Sequence, residues 1–165
     1  MINFFHNNCN EATINNIEFG ICDDQNGTKA YTDKTNSDKW IAIIKNEYEK
    51  EIVFTSIDNC IIFHKEGTQD KESTCDGMLT FTNSLYLVEL KIQGTGGWLS
   101  KAISQLENTI KLITQHNDIS AIRYKKAYSC NKKHPYFQVI ESERKKRFFD
   151  STGFRIDAQV EIIIK

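Results

Sequence analysis

The sequence predicts a mixed α+β domain, and three observations predict it. Residues 75–81 and 85–91 are two strand-like runs joined by the polar Thr82, Asn83 and Ser84. Behind them, Leu99, Ala102, Ile103, Leu106, Ile110 and Ile113 recur at helical spacing and form one apolar stripe. Two further apolar runs, at 119–128 and 154–164, bracket a short charged stretch at 141–149. The resulting order is strands, helix, strand, helix, strand around a mixed sheet. The length of 165 residues suits one domain spanning 1–165, because two would each be small for independent stability.

Taken in chain order, residues 1–37 are rich in Asn, Asp and Thr and read as a less regular N-terminal region, with Asn10 placed to cap a short helix through Ile17. Residues 40–51 fit two patterns. Trp40, Ile43, Ile44 and Tyr48 share a helix face, whereas the Ile-rich run, a charged turn and residues 51–57 fit a β-hairpin. The branched side chains favour the hairpin. Residues 60–64 then read as a short strand, and 65–72 as a polar loop. The run 85–91 is apolar on both faces, as a central strand is. A glycine-rich break at 94–97 precedes the helix, for which Thr95 or Ser100 supplies the cap. That break lacks the Gly-Lys-Ser/Thr ending of a phosphate loop, so it reads as a flexible connection.

Composition narrows the class. No apolar run approaches the ~20 residues that span a bilayer, and the opening residues lack the basic-then-apolar pattern of a secretory signal. A soluble, cytoplasmic protein is expected, with no membrane partner. The five cysteines are odd in number and widely spaced, which argues against a disulfide framework. His6, Cys9, Cys60 and His64 offer a zinc-like ligand set, although buried cysteines and surface histidines account for the same residues more simply. Charge is unevenly distributed. From Arg123 to Arg147 there are nine basic and two acidic residues, a net +7, which leaves −8 for the rest of a chain whose total is −1. Such a split places a positive field on one side of a fold, suited to phosphates. Arg123, Lys125, Lys126, Lys132 and Lys133 are the candidate nucleic-acid contacts, with Tyr124, Tyr128, Tyr136 and Phe137 interleaved as rings able to stack on bases or to fill a core.

The chemistry points to the central strand. Glu89 and Lys91 are two residues apart, so both leave one face. With Asn83-Ser84 as a two-residue turn, Asp76 lies opposite Lys91 and diagonal to Glu89 on that same face. Flanking Leu87, Val88 and Leu90 exclude water, and a buried charge requires a partner or a metal. Two adjacent carboxylates repel unless a divalent cation lies between them, and their hard oxygens suit magnesium. The acid-x-Lys spacing is not informative by itself: it occurs twice, at Glu89 and at Glu143, no more than chance predicts for this many acids and lysines. Context separates the first from the second, which lies in a solvated charge run.

On Asp76, the run Val88-Glu89-Leu90-Lys91 and the helix after it, the chain resembles the PD-(D/E)xK nuclease superfamily, the restriction-endonuclease-like fold. The likeness covers about residues 75–115. It implies a mixed central β-sheet flanked by helices, with Asp76 and Glu89 holding Mg²⁺ or Mn²⁺ and Lys91 assisting the attacking water. Gln105 is similar to the motif Gln of the recombination and repair branch. Three positions depart from the pattern: Cys75 stands where proline is usual, Thr109 where tyrosine often follows the Gln, and the earlier helical Glu is unassigned between Glu47 and Glu18. The resemblance implies a metal-dependent endonuclease acting on DNA, in defence or repair. An ATPase, helicase or specificity subunit, or a second copy of the chain, would be its partner. The alternative is a catalytically inactive version that binds nucleic acid or protein.

Overall fold

The computed structural model describes residues 1–136 and 138–165. It is mixed α+β, as the sequence predicts. Strands β1 (Glu18–Cys22), β2 (Tyr31–Asp33) and β3 (Ala42–Lys45), together with the late strand β9 (Glu161–Ile163), form a four-stranded sheet ordered β2-β1-β3-β9. Strands β4 (Val53–Ser56), β5 (Gly77–Phe81), β6 (Ser84–Lys91), β7 (Tyr124–Asn131) and β8 (Arg155–Ala158) form a five-stranded sheet in that order. The helices are α1 (Trp98–His116), between β6 and β7, and α2 (Ser142–Thr152), between β7 and β8.

The layers follow from alternation. Along β6, Leu85 and Leu87 join the core formed with Ile103, Leu106 and Ile110 of α1 and Phe148 of α2. Tyr86, Val88 and Leu90 turn the other way and pack with Phe19, Ile21, Ile44 and Ile162 of the smaller sheet. β6, β7 and β8 are parallel. Two crossovers of the same hand, each stepping one strand in the same direction, place both helices on one face. The other face is covered by the smaller sheet, so the central sheet is flanked by helices on one side and strands on the other.

Several local expectations change. No helix forms after Asn10; this segment runs beside β4, bridging Asn10 to Thr55 and Ile14 to Ile52. Residues 40–57 do supply two strands, but β3 and β4 belong to different sheets and do not form a hairpin with each other. Residues 60–64 make only an isolated bridge, His64 to Lys71. The run 154–164 divides into β8 and β9, and the chain crosses from one sheet to the other at Gln159 and Val160, whose N–H groups donate to Ser129 and Pro135 carbonyls. Gly97, at φ 87°, caps α1 with no side-chain bond, so neither Thr95 nor Ser100 serves. Cys9 and Cys60 form a disulfide, contrary to the expectation from cysteine spacing. The bond consumes two members of the zinc-like set, while Cys22, Cys75 and Cys130 are buried thiols. Among the described residues no helix is long and apolar enough to cross a membrane.

Candidate active site at the carboxyl end of the central strand

Residues 76, 89, 91 and 105 come together at the end of β6. The hairpin that positions them turns on Thr82 and Asn83, with Asn83 at φ 52° and Phe81 opposite Ser84. This is one residue earlier than the sequence suggests. The last ladder pair is therefore Gly77 with Val88, and Asp76 comes level with Glu89 rather than with Lys91. A one-residue change in the turn moves every partner by two. Gly77 is required here, because a Cβ would lie 2.4 Å from the Phe54 ring and 2.9 Å from the Thr55 carbonyl oxygen.

Beyond Gly77 the chain leaves β6 and leans towards β4. Ile57 N–H donates to the Asp76 carbonyl at 2.9 Å, and Asp58 N–H to the Cys75 carbonyl at 3.1 Å. Leu90 N–H is taken up by Asp76 Oδ2 at 2.7 Å. Lys91 Nζ is fixed between Glu89 Oε1 at 2.9 Å and Gln105 Oε1 at 2.7 Å. Gln105 Nε2 in turn reaches the Thr74 carbonyl at 3.4 Å. Helix α1 is thereby tied to both strands that carry the carboxylates.

The site is nearly dry, with Asp76 8% and Glu89 2% exposed. Burial pushes Glu89 up to about 7, with Lys91 opposing the rise. Asp76 is held well above the usual carboxylate range, first by burial and then by the Glu89 charge. Asp58, ion-paired to Lys71 at 2.7 Å, adds negative potential to both. Among the described residues three buried side-chain polar atoms lack any partner: Glu89 Oε2, Ser129 Oγ and Thr74 Oγ1. Ser129 pairs with Glu89 across the β6–β7 ladder and faces the same side. Thr74 is two residues before Asp76 and shares Gln105 with Lys91. Buried polar atoms left without a partner on segments that carry the carboxylates call for a group that the side chains do not supply.

Two carboxylates and a partnerless oxygen suit a small hard cation, so Asp76 and Glu89 fit Mg²⁺ or Mn²⁺ as a pair. Among the described residues no group of three His, Cys, Asp or Glu side chains has metal-binding geometry. The two candidates for an additional acid are elsewhere: Glu47 is exposed in the turn after β3, and Glu18 is ion-paired to Lys45 on the smaller sheet.

The basic candidates do not form one surface. Arg123, Lys125 and Lys126 lie at the start of β7, whereas Lys132 and Lys133 follow its other end, past the residues that pair with Glu89 and Lys91. Lys132 N–H donates to the Lys91 carbonyl at 2.9 Å, and its ammonium contacts the Asp38 carbonyl. Of the interleaved rings, Tyr128 is buried in the core between the sheets, Tyr124 and Tyr136 are exposed, and Phe137 lies outside the described residues.

Sequence reasoning missed Thr109. Its hydroxyl accepts Cys75 N–H at 2.7 Å and donates to the Gln105 carbonyl at 2.7 Å, so it supports the strand and the helix residue together. A polar residue four positions after Gln105 on the buried side of α1 was the available signal. Two of the three departures from the pattern are thus joined: Cys75 has an N–H that proline lacks, and Thr109 supplies its acceptor. No protein-family model matches this chain, and searches of curated proteins and of solved structures return no match.

Proposed function

We propose that this chain is a divalent-metal-dependent endonuclease that hydrolyses phosphodiester bonds in DNA. The observation that carries the reading is the buried Asp76–Glu89 pair with Glu89 Oε2 unpartnered, next to a lysine held in place by Gln105. When bound, a divalent cation supplies Lewis-acid stabilisation of phosphate charge and lowers the pKa of a water molecule. Asp76 and Glu89 would hold it, their mutual repulsion relieved by its charge. Lys91, oriented by Glu89 and Gln105, is placed to position the attacking water or meet developing negative charge. Lys132 and Lys133 stand at the same end of the sheet for backbone phosphates. A role in defence or repair beside an ATPase, helicase or specificity subunit, or as a homodimer, belongs to the same proposal.

A second reading, an inactive nucleic-acid- or protein-binding subunit of this type, is favoured by one observation: among the described residues no third carboxylate joins the pair. Magnesium titration by calorimetry with plasmid nicking, on wild type and on Glu89→Ala and Glu89→Gln, separates them. Binding and nicking lost together in both variants support the nuclease. Wild-type protein that neither binds magnesium nor nicks DNA supports the second reading.

A further inference from the structure

A concave surface lies at the opposite end of the sheet from the carboxylates. Arg123, Tyr124, Lys125 and Lys126 open β7, and they face Phe149 of α2 and Arg155 of β8 across a groove of about 710 Å³. Among the described residues no acidic one lines it. Among the described residues, Arg123, Lys125, Lys126 and Arg155 form no carboxylate ion pair. Four cations are thus brought together with no carboxylate ion-paired to any of them, an arrangement that a bound anion would stabilise. Burial and the charges of Lys165 and Arg155 hold Lys126 below its ordinary pKa, with Asp157 opposing the shift.

The rings give the surface a second character. Tyr124 is 49% and Phe149 46% exposed. Each lies under a guanidinium: Arg123 Cζ is 5.3 Å from the Tyr124 centroid and Arg155 Cζ 5.7 Å from that of Phe149. A phosphate-only site has no use for two exposed rings. Ring–guanidinium contacts beside cations that form no ion pair match a chain that alternates planar apolar faces with negative charges. A duplex hides its base faces, so the match is to a single strand.

We propose that this groove binds an unpaired stretch of nucleic acid, with bases stacked at Tyr124 and Phe149 and phosphates along Lys125, Lys126 and Arg155. The proposal deepens the functional reading by naming the strand form recognised, and it rests on that reading only in taking nucleic acid as the ligand. Tyr124 pairs with Ser84, five residues before Glu89, a separation of about 16 Å along the strand. Binding here therefore needs neither the carboxylates nor a divalent ion.

The test is fluorescence anisotropy in EDTA with a labelled oligothymidylate of about 12 nucleotides and a duplex of equal length, a size within the range of single-strand sites. Wild type is expected to favour the single strand. Tyr124→Ala/Phe149→Ala should weaken it about tenfold or more. Lys125→Ala/Arg155→Ala should reduce the slope of log K against log salt by about 1.4, two contacts at ~0.7 each. Glu89→Gln should bind as wild type does. Lys101→Ala/Lys111→Ala, on the exposed side of α1, is the control for general charge, and thermal melts confirm that each variant folds. Absent single-strand binding, preference for duplex, ring variants that bind normally, or a control that weakens binding as much as the groove variants would each overturn the proposal. Single-strand binding without magnesium-dependent cleavage would instead remove the nuclease reading and leave the groove standing.

Discussion

The Asp76 carboxylate accepts the Leu90 N–H at 2.7 Å, taking up a backbone donor just past the last pair of the β5–β6 ladder. A residue proposed to hold metal therefore also completes the sheet. Asp76→Ala should cost about 1–3 kcal/mol, because it leaves a buried N–H unpaired. Asp76→Asn keeps an acceptor oxygen and should cost less, while abolishing cleavage equally. Urea denaturation of both variants beside a nicking assay checks the separation. Equal stability losses would mean that the Leu90 bond contributes little.

Glu89 makes stability depend on pH in a particular direction. Its carboxyl is raised from 4.5 to about 7 by burial, so between those values the folded state holds more protons than the unfolded one. Stability is then fully present below about pH 4.5 and declines as pH rises to about 7. At ~1.4 kcal/mol per pH unit the loss is roughly 3 kcal/mol. Denaturation in EDTA should show wild type losing this increment relative to Glu89→Gln, which cannot ionise. Parallel curves for the two proteins would contradict the assignment.

The same protonation must be undone when metal binds, since a cation requires ionised carboxylates. Magnesium binding should be tighter at pH 8 than at pH 6 and should release protons near neutrality. Calorimetry in two buffers of different ionisation enthalpy reads this directly. An apparent enthalpy independent of buffer would indicate that Asp76 and Glu89 are not the ligands.

The Cys9–Cys60 bond closes a span of 51 residues. Chain-entropy arguments assign such a loop up to ~4 kcal/mol. Cys60→Ser, or reduction of the wild type, should lower the urea midpoint accordingly, and the reduced wild type should match the variant.

Lys91 opposes the rise that burial imposes on Glu89 and so favours its charged form. Lys91→Met should leave Glu89 to take up a proton, so the variant should be closer to wild type in stability at pH 5 than at pH 8. Gln105→Ala keeps the Glu89 contact and should lower cleavage more than stability. A pH series of melts with single-turnover cleavage distinguishes the two roles.

What the sequence by itself determined is local. The apolar stripe from Leu99 to Ile113 specified α1, and the run through 85–91, apolar on both faces, specified a central strand with Glu89 and Lys91 on one face, because side-chain direction repeats every 3.6 or 2 residues regardless of partner. Asp76 was legible as a neighbour since only a short turn separates the two strands. Its actual level was not: Asn83 takes the left-handed conformation and shifts the turn by one residue, moving Asp76 from Lys91 to Glu89. Tertiary structure decided the remainder. It placed β3 and β9 in a second sheet, separated Lys125 from Lys133 by the length of β7, joined Cys9 to Cys60, and brought Thr109 beneath Cys75. Each depends on which distant segments share a core, and the energy that selects those pairings comes from burying both partners together, a quantity carried by neither segment alone.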